Sequence, residues 1–176
     1  SRFLLEHAVP SVRVDSFRPG HLAYPFALPQ ALEATGYRYS SSLAAGMTQS
    51  HLPFQLTADR AGRSPVSVHE FPITLEDERV RPMDTALLPR ALEIARQLAR
   101  YGGMCVVLSH PNVLDDKLRF HDQFITAAQG MGAWIGPLGD FGRWWRARDG
   151  LQWDVSGAEG VHRRPPDRNP ALPAGL

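Results

Sequence analysis

The sequence predicts an α/β fold. Segments of period-two alternation take turns with segments of helical spacing, and one strand, Met104-Cys105-Val106-Val107-Leu108, is apolar throughout, as a strand covered on both faces of a parallel sheet must be. A third observation locates the functional edge. Arg18, the acids at Glu76-Asp77-Glu78 and His110 each lie just past a strand end, where α/β folds gather their chemical groups.

Taken in order, Val12 to Phe17 alternates apolar and polar side chains as a strand, and Arg18-Pro19-Gly20 ends it with strong breakers. Phe26, Leu28, Ala31, Leu32 and Ala34 suit a short helix entered near Pro29, with Gly36 placed to close it as a left-handed cap. Tyr37-Arg38-Tyr39 is extended, and residues 43–65 have no clear period and read as a long loop. Val66 to Ile73 alternates as a strand that ends at Pro72 and leads into an acidic loop. A helix runs from Asp84 or Thr85 to Arg100, burying Leu87, Leu88, Ala91, Leu92, Ala95 and Leu98. Gly102-Gly103 stops it before the apolar strand. Beyond that strand come a helix at 115–129 facing Leu118, Phe124, Ile125 and Ala128 inward, a short strand at Ala133-Trp134-Ile135, a helix at 138–148 and a strand at 151–155.

The chain has 176 residues, 43% of them hydrophobic, enough for one core. We expect one unit over residues 1–156 and a disordered Pro/Arg/Gly-rich tail over 157–176. Nineteen basic and eighteen acidic residues leave a net charge of +1, so no broad field attracts nucleic acid or anionic membrane. Only Lys117 among the basic residues is lysine, a bias that reflects base composition rather than phosphate binding. The single cysteine, Cys105, excludes an internal disulfide and a Cys-based zinc site and reads as a small buried hydrophobe. No apolar stretch is long enough for a transmembrane segment, and the N-terminus lacks signal-peptide order. The chain starts at Ser1 rather than methionine, so a trimmed or partial chain is expected.

Each candidate residue has two readings. His110, between a buried strand and Pro111, can act as a general acid near neutral pH, or as a capping or core histidine bonded to backbone. Arg18 can hold a carboxylate through two parallel hydrogen bonds, which lysine does poorly, or stand exposed at a strand end. Asp77 can orient an imidazole or bind substrate hydroxyls while Glu76 and Glu78 face solvent, or all three form a solvated acidic turn. Ser109 beside His110 does not make a nucleophilic pair, because neighbours in an extended segment point to opposite faces. The seven histidines show no HxxxH or HExxH spacing, so no complete metal site is visible. Trp144 and Trp145 can stack on sugar or join Phe141 in a core.

The ordered set Ser16-Phe17-Arg18-Pro19-Gly20, Ala31-Leu32-Glu33-Ala34-Thr35-Gly36-Tyr37-Arg38-Tyr39-Ser40-Ser41-Ser42, Val68-His69-Glu70-Phe71-Pro72-Ile73-Thr74-Leu75-Glu76-Asp77 and Val106-Val107-Leu108-Ser109-His110-Pro111 resembles the C-terminal half of the polysaccharide deacetylase (NodB-homology) family. The resemblance runs from about Val12 to Arg148, and Phe141 to Arg148 looks like that family's final helix. It implies the C-terminal portion of a distorted (β/α) barrel and metal-dependent removal of an N- or O-acetyl group from a polysaccharide or glycan. In that family a metal-bound water is activated by an aspartate base, and a histidine protonates the leaving group.

Carried onto this sequence, the resemblance makes Arg18 the arginine that braces the base and His110 the acid. It makes Asp77 the residue that tunes His110, and Leu108 the shaper of the acetyl pocket. Backbone N–H groups near Gly20 and His21 become oxyanion donors, and Tyr24 a substrate contact. Two departures stand out. The family's paired aspartates and metal-ligand histidines lie upstream of the arginine motif, and neither His7 nor Asp15 reproduces them. Pro19 also follows Arg18 directly, where the family pattern interposes one residue. We therefore expect the divalent metal, zinc by preference, only together with an N-terminal remainder of the same polypeptide. Cell-envelope or secreted work follows from the resemblance, while one cysteine fits either side of a membrane. The competing expectation is a non-catalytic carbohydrate-binding or scaffold protein derived from the same fold.

Overall fold

The computed structural model describes residues 2–77, 87–112, 114–151, 153–156 and 160–163. Its contacts divide into two units, Ser1–Ile135 and Gly136–Leu176. In the first, four strands form one sheet: β1 (Ser16–Phe17), β2 (Tyr39–Ser40), β3 (Phe54–Thr57) and β4 (Pro65–Glu70), ordered β1-β2-β4-β3. β1, β2 and β4 run parallel, and β3 returns antiparallel along β4. A second parallel pair joins β5 (Ile73–Glu76) to β6 (Val106–Leu108), and a parallel bridge from Ala44 to Ile73 carries the pairing on from the first sheet.

Local chemistry explains the helices. α1 (Arg2–Ala8) carries an Arg2–Glu6 ion pair at 3.1 Å, one turn apart. Pro29 falls in the first turn of α2 (Leu28–Ala34), where its missing N–H costs nothing, and Gly36 closes the helix at φ +77°. Leu28 and Leu32 then pack with Tyr37, Leu56, Val66 and Val68 in one core. Full burial of a side chain such as Val68 is worth roughly 1.5–3 kcal/mol. After the four-residue α3 (Ala45–Thr48), a second core forms where α4 (Leu87–Tyr101) and α5 (Leu114–Gly130) bury Ala91, Phe120 and Phe124 beside Leu75, Cys105 and Val107.

Several expectations need correction. The run at 66–73 is not one strand: Pro72 cannot donate to a ladder, so β4 stops at Glu70 and Ile73 opens β5 in a different pairing. Glu76 therefore does not start a loop, since it is the last residue of β5. The stretch at 43–65 contains α3 and β3. β3 is short enough to escape a periodicity test, and it exists because β4 offers it an edge. Residues 133–135 form no strand, being confined between Gly132 and Gly136. In α5 the buried stripe is Lys117, Phe120, Phe124 and Ala128, while Leu118 and Ile125 are exposed.

The second unit holds α6 (Leu138–Asp149) and an antiparallel pair, β7 (Trp153–Ser156) with β8 (Gly160–Arg163). Phe141, Trp144 and Trp145 touch ring to ring, with Trp145 buried and the Arg148 guanidinium 4.3 Å from its centroid. β8 falls within the segment whose composition suggested a tail, and residues 164–176 lie outside the described residues.

Candidate active site

Because β1, β2, β4, β5 and β6 are linked by parallel pairings, their carboxyl ends form one edge. Arg18 follows β1, Ser41 and Ser42 follow β2, Glu70 ends β4, Asp77 follows β5, and Ser109-His110 follows β6. Parallel pairing alone puts these seven residues on the same side.

At the β5–β6 end, Asp77 is buried and receives two hydrogen bonds from His110. The His110 backbone N–H donates to Oδ2 at 2.7 Å and the ring Nδ1 pairs with Oδ1 at 2.6 Å. Lys117 Nζ stands 3.5 Å from the same Oδ2, and His121 Nε2 3.8 Å from it. Burial by itself would raise the Asp77 carboxyl, but the His110 hydrogen bonds and the Lys117 charge outweigh it and hold the group below the usual carboxylate range. An ionised carboxylate only accepts, so Nδ1 carries the ring proton in this pairing. The His110 side chain is a third exposed, so a substrate can meet it. Leu108, at the end of β6 and two residues before it in sequence, is buried. Glu76 is exposed as expected, whereas Glu78 lies outside the described residues.

Toward β1 and β2, Arg18 donates from Nε to the Ser41 carbonyl at 2.9 Å and from a terminal nitrogen to Ser41 Oγ at 2.8 Å. It is thus neither freely solvated nor paired with an aspartate by these two bonds. Glu70, fully buried, accepts the backbone N–H groups of Ser42 and Leu43 on Oε1 at 2.6 and 2.8 Å. Burial pushes its carboxyl up and pushes the Arg18 guanidinium down, each group offsetting part of the other's shift by charge. Burial, with the Glu70 charge behind it, also raises the half-buried Tyr24 phenol. Gly20 opens a 3-10 turn, Gly20–Leu22, in which His21 and Leu22 adopt φ of +53° and +49°. Left-handed backbone at such residues costs roughly 1–2 kcal/mol each, and strain of this kind clusters at functional sites.

Sequence reasoning missed Glu70, Ser41, Lys117 and His121 as site residues. Glu70 was detectable, since alternation puts it on the face of Val66 and Val68, where an acid needs a reason. Lys117 likewise sits on the apolar stripe of α5.

No family model matches the chain, and no curated protein matches it in sequence. Among solved structures it is similar to the crystal structure of a "putative polysaccharide deacetylase from Mycobacterium smegmatis", with a TM-score of 0.61 and 20% identity over 84% of this chain and 54% of that one. The chain therefore spans about half the length of that neighbour, and the likeness is one of fold. Its mixed α/β architecture is similar to the fold of that putative polysaccharide deacetylase. The metal that such a resemblance implies finds no donor set here: among the described residues no three His, Cys, Asp or Glu side chains cluster to hold one. Nor is any helix among them long and apolar enough to cross a membrane.

Proposed function

We propose that this chain supplies the proton-delivering half of a carbohydrate deacetylase site, built on the C-terminal portion of a distorted (β/α) barrel. The observation that carries the reading is the double hydrogen bond from His110 to Asp77. It fixes the imidazole's tautomer and orientation, and Asp77 stabilises the ring when it is charged. His110 Nε2 then protonates the departing nitrogen or oxygen as the acetyl group is cleaved from a polysaccharide or glycan. Leu108 lines the acetyl side, Tyr24 contacts the sugar, and backbone N–H groups at Gly20 and His21 meet the developing oxyanion. Arg18, seated on Ser41, keeps further N–H donors with which to hold a carboxylate.

The described residues do not fit a divalent metal, and no step is derived through one. In this reading metal ligands and the water-activating base come from outside them, on the N-terminal remainder of a longer polypeptide.

The test is acetate release from an acetylated chito-oligosaccharide and from an acetylated xylan, using the full-length protein and its His110→Ala variant. Release that falls on the order of 10²–10⁴-fold in the variant supports the reading. Glycan binding with no release by the wild type, or release untouched by His110→Ala, overturns it and favours a carbohydrate-binding protein on the same fold.

A further inference from the structure

Two charged residues grip one turn. Arg18 holds Ser41 through its carbonyl and hydroxyl, and Glu70 holds the next two residues, Ser42 and Leu43, through their N–H groups. Ser40, Ser41 and Ser42 are all buried, as is Glu70, which sits on the β4 face shared with Val66 and Val68. Two N–H groups need an acceptor there. They do not need a charge, since a glutamine carbonyl oxygen could accept both.

The second carboxylate oxygen, Oε2, is buried and accepts no hydrogen bond among the described residues, and besides the two amides the Ser40 hydroxyl and the Arg18 charge favour the ionised carboxylate. A buried charge without compensation is costly and persists where an opposite charge answers it. Arg18 and Glu70 hold adjoining residues of this turn, and each charge acts on the other, with Glu70 also acting on Tyr24. We propose that Glu70 is a positioning residue whose carboxylate charge keeps the Arg18 guanidinium seated on Ser41, with its remaining donors aimed into the site. The inference rests on the reading of Arg18 as a carboxylate-holding residue of a deacetylase.

Glu70→Gln in the full-length protein isolates the charge, because the amide oxygen still accepts the Ser42 and Leu43 bonds. Hydrogen exchange read by NMR should show the Arg18 Nε–H exchanging at least about tenfold faster, with the Ser42 and Leu43 amides as protected as in the wild type. Unchanged Arg18 protection overturns the proposal. So does equal acceleration at all three sites, which marks loss of the turn rather than of the seat.

If Glu70→Gln does not fold, the coupling is read from the other side. Arg18→Gln should raise the pH at which the Glu70 carboxyl titrates, and an unmoved titration overturns the proposal. In turnover, Glu70→Gln should lower kcat with little change in KM and add nothing further in an Arg18→Lys background. A full additional loss in that background contradicts action through Arg18. These outcomes are separable from the function itself: His110→Ala tests the deacetylase reading, while the exchange measurement needs no substrate.

Discussion

Asp77 takes both hydrogen bonds that His110 offers on that side, from the backbone N–H at 2.7 Å and from the ring Nδ1 at 2.6 Å. The pairing spans thirty-three positions of sequence, and the register of β5 on β6, with Glu76 opposite Leu108, brings the two residues together. Asp77→Asn keeps the shape but removes the charge, and one orientation of the amide presents a donor to the ring. The variant should lower kcat on the order of 10²–10⁴-fold with KM nearly constant. Steady-state kinetics that show an unaltered kcat would remove Asp77 from the mechanism.

Stability should carry the same signature in its pH dependence. The folded Asp77 carboxyl titrates below its unfolded value, which is about 3.9. Its contribution is therefore present above about pH 4 and is lost as the pH falls through the depressed folded value. Urea unfolding of wild type and Asp77→Asn between about pH 3 and 7 should show a gap that narrows toward acid. A gap independent of pH would contradict the assignment.

Lys117 is a buried cation of this end, with its Nζ 2.8 Å from Asn112 Oδ1 and 3.5 Å from Asp77 Oδ2. Lys117→Met fills the same stem volume while stripping one compensating charge from Asp77. We expect a loss of about 1–3 kcal/mol in unfolding free energy, because the His110 bonds remain. A change within about 0.5 kcal/mol would mean that the lysine is merely accommodated.

The register of α5 has a sharp test. Phe120 is buried between its neighbours Ala91 and Phe124, whereas Leu118 is 59% exposed. Phe120→Ala should cost about 3–5 kcal/mol and Leu118→Ala less than about 0.5 kcal/mol. Thermal or chemical unfolding that reverses this order would put the helix on the wrong face.

The positions of Arg18, Asp77 and His110 past strand ends are legible in the sequence, because a strand's end needs only local pattern to be found. Asp77 shows the limit of that reasoning. Its neighbours suggested a solvated acidic turn, and what decides its role is a partner thirty-three positions away that no local window contains. Glu70 and Lys117 were passed over for a related reason: a charged residue on an apolar face looks like a break in the pattern until the fold shows what it answers. β5 was hidden because Pro72 interrupts an otherwise continuous alternation, and the change of pairing partner at that proline is a tertiary event. In α5 the period is legible and the phase only in part: Phe124 and Ala128 are buried as expected, while Leu118 and Ile125 are exposed and Lys117 and Phe120 complete the stripe.

The most direct test of the proton-delivering role is the pH profile of acetate release by the full-length protein, measured for wild type and His110→Ala on one acetylated oligosaccharide. The wild type should release acetate, and the variant should lose on the order of 10²–10⁴-fold in kcat across the profile. The same profile and the same rate in both proteins would contradict the role of His110 as the acid.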